Sequence, residues 1–228
     1  MKKLLAFGAT ALAAVLILIG IVAYTYPKPA AAASEPIQAI AITSTACTTT
    51  GNTTYTISQD SSKASFVIDE VLNGAPVTVV GSTNQVAGQL SVNPTAPATA
   101  QIGTMQINAR TFATDSANRN EATQNGILQT GTYEYITFTP ASLVGLPATA
   151  TVGQSYTFQI VGQLTIRDQT HEATFAATVT PAADGALQGN VTTTINYADW
   201  GISVPSVPFV TGLAETVTLN LDFVANAN

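Results

Sequence analysis

The sequence predicts an all-β domain, a barrel or sandwich of short antiparallel strands with one short helix, behind an N-terminal hydrophobic helix. Three observations predict it. Apolar residues recur at every second position through much of the chain after residue 64, the period of strands with two unlike faces. Turn-forming Gly, Asn, Asp and Pro separate those runs. One segment alone carries helix signals.

The leader comes first. Lys2-Lys3 precedes an uncharged run from Leu4 to Tyr26. Crossing a bilayer as a helix takes ~20 apolar residues, whereas a cleavable signal has an apolar core of ~7–15. Length favours an uncleaved anchor over residues 1–26. The small residues Ala30 to Ser34 still offer a cleavage site, so both outcomes stand. In either, the two lysines stay inside and the rest of the chain is exported. Tyr24 and Tyr26 would mark the outer interface. Residues 27–52 are rich in Ala, Ser, Thr and Pro and read as a flexible spacer. Within it, Ile37, Ile40 and Ile42 form a short strand or pack on the domain. The lone cysteine, Cys47, excludes an internal disulfide; it reads as an incidental spacer residue, a free thiol or an intermolecular bridge.

The domain proper spans residues 53–228. Phe66 and Ile68 open an early strand. Val77 to Val92 is one bent strand or a hairpin, with Gly81 and Gly88 as bend points. Ile102 to Asn108 is a further strand. Asp115 or Ser116 caps a short helix running towards Ile127-Leu128, weakened by its asparagines and Gly126. Tyr135 to Thr139 is a strand that Pro140 should end. Phe158, Ile160, Leu164 and Ile166 share one parity, with Gly162 among them; Phe175, Ala177 and Val179 share another. The clearest run is the last: Val217, Leu219, Leu221 and Phe223 alternate with polar residues. Turns fall at Asn73-Gly74, Asn93-Pro94, Ala183 to Gly185 and Pro205 to Pro208.

Composition narrows the function. Hydrophobic residues make up 46% of the chain and charged ones 9%, against ~25% charged in ordinary soluble domains. From Asn52 onward, four basic residues (Lys63, Arg110, Arg119, Arg167) face twelve carboxylates, a balance of −8. Such a surface repels phosphate backbones and anionic bilayers. Nucleic acid is therefore not a partner, and the leader is the expected link to the membrane. Phe66, Phe138, Phe158, Phe175, Phe209, Phe223 and Trp200 place aromatic bulk on the apolar faces. Periodicity does not tell whether these residues fill the core or line a hollow barrel; a barrel of about eight strands can hold one small ligand.

Several stretches, in order, resemble the YceI-like, polyisoprenoid-binding family. Ala64-Ser65-Phe66-Val67-Ile68 and Val86-Ala87-Gly88-Gln89-Leu90 resemble its first strand and return. Ile107 to Asp115 with Asn118-Arg119-Asn120 is similar to its strand, turn and helix start. Tyr135-Ile136-Thr137-Phe138 resembles its third strand. Gly162 to Phe175, containing Leu164-Thr165-Ile166-Arg167, is similar to its most characteristic hairpin, and Ala198-Asp199-Trp200-Gly201-Ile202 to a late segment. The family pattern is broken at Gln163, Asp168, Asn120 and Tyr197, where an acidic residue, a glycine, an aspartate and a basic residue are usual.

The resemblance covers residues 53–228. It implies an extended lipocalin-like antiparallel β-barrel of about eight strands and a lipid-filled interior. The implied ligand is an isoprenoid, a quinone or a related amphiphile; no other cofactor and no metal is expected. The candidate ligand contacts are Phe66, Ile68, Phe112, Ile127, Leu128, Phe138, Phe158, Ile160, Leu164, Phe175, Trp200, Phe209, Leu219, Leu221 and Phe223. Arg119 and His171 are the candidate headgroup contacts. Arg119 has a second reading, pairing with Asp115 or Asp199 beside the short helix. An isoprenoid chain of ~40–50 carbons could bind through its methylenes alone, at ~0.8 kcal/mol each.

Two other functions remain. One is a structural or interaction module of the cell surface with a filled core; a homodimer is left open. The other is an enzyme acting on a lipid headgroup, with His171 as base. Alternation places His171 and Glu172 on opposite faces, and no Gly-x-Ser-x-Gly elbow or second histidine for a metal is present. Binding without catalysis is the expectation.

Overall fold

The computed structural model describes residues 32, 36–42, 51–204, 208 and 210–228. The leader, Cys47 and Phe209 lie outside the described residues, as do 205–207 of the last expected turn. No described helix is long and apolar enough to cross a membrane.

Among the described residues, thirteen strands form one curled antiparallel sheet. They are β1 (Thr53–Ile57), β2 (Lys63–Leu72), β3 (Ala75–Thr83), β4 (Val86–Ala87), β5 (Gln89–Val92), β6 (Gln101–Ile102) and β7 (Met105–Asn108). After the helix come β8 (Tyr135–Val144), β9 (Tyr156–Ile166), β10 (Gln169–Pro181), β11 (Leu187–Asn196), β12 (Val210–Thr211) and β13 (Thr216–Ala227). Several short strands are pieces of longer passes. β1–β2, β3–β5 and β6–β7 are each one bent pass; with β8, β9, β10, β11 and β13 the chain crosses the sheet eight times. Each pass pairs with its neighbours in sequence. β13 returns to pair with β2 through Thr218 to Asp222 and with β1 through Ala225 to Ala227. The pairing circuit is thinnest between the second and third passes, at Val86↔Ile107, Ala87↔Gln106, Leu90↔Ile102 and Ser91↔Gln101.

The region from Val77 to Val92 is thus a bent strand, not a hairpin. It breaks at Asn84-Gln85 and at Gly88, while Gly81 lies inside β3. The first pass kinks at residues 58–62, where Val224 of the unbroken β13 receives a hydrogen bond from Ser58 N (2.8 Å) and donates one to Ser62 Oγ (3.1 Å). Pro140 does not end its strand: β8 continues to Val144. The proline lies at a bulge between Pro140 and Ser142, where the register slips and one ladder donor is dispensable.

Residues 36–42 form no strand but pack on the domain. Ile37 is buried, its carbonyl accepts from Gln59 Nε2 (2.7 Å), and Ile42 N donates to the side chain of Gln89 (3.3 Å).

The one α-helix among the described residues, α1 (Ala117–Glu121), is capped by Ser116, whose Oγ accepts from Arg119 N. It relaxes into a wider π-helical turn over Ala122–Ile127. Asn120 ties it down, its Oδ1 accepting from Thr114 N (2.6 Å) and Thr114 Oγ1 (2.8 Å). An aspartate would accept both bonds equally, which accounts for the interchange at this position. Asn120→Ala should cost about 1–3 kcal/mol by urea denaturation, the range for orphaned polar groups. Asn120→Asp should lie near wild type; equal losses for both would show that the acceptor does not matter.

Candidate ligand cavity

Strand alternation sends one face of every long strand inward. Among the described residues the interior is not packed solid: two apolar cavities lie along it. The upper one has a volume of about 170 Å³ and sits beside α1. The lower one, of about 60 Å³, lies towards the opposite end. Successive inward residues assign their levels. On β13, Val217 and Leu219 line the upper cavity, Leu221 and Phe223 the lower; on β11, Ile195 lines the upper and Val191 the lower.

Three phenylalanines each lie on a glycine of the adjacent strand. Phe66 pairs with Gly81, and a Cβ on that glycine would stand 2.2 Å from Phe66 Cε1. Phe223 pairs with Gly189, where the same construction gives 2.8 Å. The ring of Phe138 reaches to 2.8 Å from a Cβ built on Gly162. Each ring occupies the place of a missing side chain; for Phe66 and Phe223 this lays aromatic bulk on the cavity wall instead of filling the axis, whereas Phe138 packs against Phe175.

Of the residues the sequence singles out, Phe66, Ile68, Phe112, Ile127, Leu128 and Leu219 line the upper cavity. Phe158, Ile160, Leu221 and Phe223 line the lower. Phe138, Leu164 and Phe175 line neither. Phe138 and Phe175 meet edge-to-face at 4.7 Å and pack in the core with Leu164. The strand register sets Phe175 between the levels of Ile195 and Val191, hence between the cavities. Trp200 also lines neither. It is buried in the same core, and its Nε1 donates to the Leu164 carbonyl (3.1 Å).

The two headgroup candidates separate. Arg119 lines the upper cavity. His171 lines neither cavity; it is exposed, with its ring edge-on to Trp200 at 5.1 Å. Arg119 pairs with Asp115, as one reading of the sequence has it, and with Glu70 at 3.1 Å rather than Asp199.

Sequence reasoning missed Glu70, Thr123, Ile136, Ile195 and Tyr197 of the upper cavity, and Ile57, Leu90, Met105, Val179 and Val191 of the lower. The signal for Glu70 was its parity with Phe66 and Ile68. Val204 and Leu213 come from outside the regular strands, where no period exists to read.

Two further departures from the family pattern have structural accounts. At the β9–β10 turn it is Arg167, at φ 59°, that adopts the left-handed conformation. Asp168 does not, so no glycine is needed there. Gln163 is exposed and faces away from both cavities.

An antiparallel sheet curled around apolar cavities defines a lipocalin-like barrel. The chain belongs to the YceI-like family, whose domain model matches residues 55–225. Solved structures share the fold at low identity. One is a polyisoprenoid binding domain from Saccharophagus degradans implicated in plant cell wall breakdown: 14% identity, TM-score 0.61, 76% of this chain and 98% of that one. Another is Burkholderia cenocepacia BcnA: 19% identity, TM-score 0.60, 75% of this chain and 99% of that one. The Campylobacter jejuni YceI protein follows at 16% identity and TM-score 0.50, over 63% of this chain and 81% of that one. No curated protein matches the sequence.

Proposed function

We propose that residues 53–228 bind a long apolar lipid, an isoprenoid, quinone or related amphiphile, inside the barrel, and store, carry or shield it. The leader and spacer of the sequence support an extracytoplasmic site of action. The observation that carries the reading is the pair of apolar cavities kept open by Phe66 and Phe223 folded onto glycines. The polyisoprenoid binding domain among the structural relatives supports the same class of ligand.

Volume sets the terms of binding. A cavity of roughly 150 Å³ holds a molecule the size of benzene. The upper cavity therefore takes one short apolar segment as it stands. A longer tail must thread both cavities and displace the Phe138–Phe175 pair between them. Displacing the pair costs about 1–3 kcal/mol in ring contact and rotamer strain, which four or more buried methylenes at ~0.8 kcal/mol each offset.

The domain, purified without detergent from a lipid-bearing host, should carry a prenyl lipid or quinone in native mass spectra. Organic extraction should release it. Apo mass alone, with no uptake of added quinone, would count decisively against lipid binding.

A further inference from the structure

The upper cavity is lined by apolar residues except for Glu70, Arg119, Thr123 and Tyr197, and Glu70 and Arg119 meet at one corner of it. Glu70 is the inward residue of β2 beyond Ile68, and its side chain is only 9% exposed. Its Oε1 accepts from Arg119 Nη2 at 3.1 Å. The other terminal nitrogen of Arg119 is held by Asp115. The one cation lining the cavity is thus clamped between two carboxylates, and the cluster carries a net charge of −1. Tyr197 adds a phenol to the lining. Arg167 is close in the chain to the lining residue Ile166 but lines neither cavity; its Nη1 donates to the Ile127 and Gly201 carbonyls.

An anionic head entering this corner meets Glu70 in a desolvated setting, where like charges repel strongly and guanidinium attraction is already spent on carboxylates. A carboxylate is acceptor-only, so it favours a head that donates a hydrogen bond. We propose that the cavity takes an amphiphile with an uncharged, hydrogen-bond-donating head, an alcohol or primary amide, and excludes phosphate and carboxylate heads. The inference rests on the lipid-binding reading above and names the class of ligand within it.

The test compares farnesol with farnesyl phosphate, which share a tail, by calorimetric titration of the whole protein. Wild type should bind the alcohol at least ~10-fold more tightly. Glu70→Gln removes the buried charge and should shrink that preference by ~10-fold or more, through a gain for the phosphate. Asp115→Asn, at an exposed position, should shift the preference the same way by a smaller factor. Equal or tighter binding of the phosphate by wild type overturns the proposal while leaving lipid binding intact. So does a preference unchanged in both variants. Failure of wild type to bind either compound overturns the lipid-binding reading itself and the proposal with it.

Discussion

Gly162→Ala is expected to lower the melting temperature of the domain by roughly 4–8 °C. A Cβ at this position would lie 2.5 Å from the Thr139 carbonyl oxygen and 2.8 Å from the Pro140 Cα, both backbone atoms of the neighbouring strand. No side-chain rotation relieves that contact, so β8 and β9 must part just where the Pro140 bulge already weakens their pairing. Overpacking of this kind costs about 1–3 kcal/mol, and each kcal/mol shifts the midpoint of a domain this size by about 2–4 °C. Gly131→Ala is the control, since nothing lies within 4 Å of its Cβ position. Gly81→Ala gives a second comparison. There the three nearest atoms all belong to the Phe66 ring, so adding Phe66→Leu should recover most of the loss. Scanning calorimetry on these variants decides the matter. A midpoint for Gly162→Ala within 1–2 °C of wild type would show that the two strands are not locked at this glycine, since less than 1 kcal/mol would then be at stake.

The strands were legible because their period is two and their partners matter little to it. In β9 the alternation of Phe158 to Ile166 survives into burial, and in β13 the shared parity of Val217, Leu219, Leu221 and Phe223 survives as cavity lining. The kinks were not legible. Ser58 to Ser62 looks like any polar turn, and only β13 running past it makes two short strands into one bent pass. Pro140 misled for a related reason. A proline ends a strand where its amide would be needed, and whether it is needed depends on the partner strand. The chain itself does not disclose that Gly162 and a bulge face it.

The cavity was half legible. Inward parity marked Phe66, Leu219, Leu221 and Phe223, but parity is the same for a plug and for a wall. What separates the two is which residue stands across the ladder. Phe66 opposite Gly81 and Phe223 opposite Gly189 are wall residues because their partners have no side chains. Phe175 lies opposite Ile160 and packs against Phe138, and it is part of the plug. Glu70 was overlooked because a charge on an otherwise apolar parity reads as the end of a strand. Its pairing with Arg119, 49 residues away, is what lets it stay inside.

Blocking the lower cavity should separate long tails from short ones. Val191 faces that cavity from β11, and Val191→Phe puts four more carbons into its 60 Å³. The open space receives the ring, so the stability cost should stay within the ~1–3 kcal/mol typical of added bulk. A tail threaded through both cavities would then lose about four buried carbons. At ~0.8 kcal/mol each that is about 3 kcal/mol, or roughly 100-fold in affinity. A five-carbon prenyl alcohol is about the size of benzene, fits the upper cavity alone and should bind within ~3-fold of wild type, a difference below 1 kcal/mol. Competition between short- and long-tailed prenyl alcohols measures both effects on one protein, and Val191→Leu gives the milder version. If the two alcohols weaken by the same factor, the tail does not pass the Phe138–Phe175 pair. Ligand would then be confined to the space beside α1, and the lower cavity would be a packing defect with no part in binding.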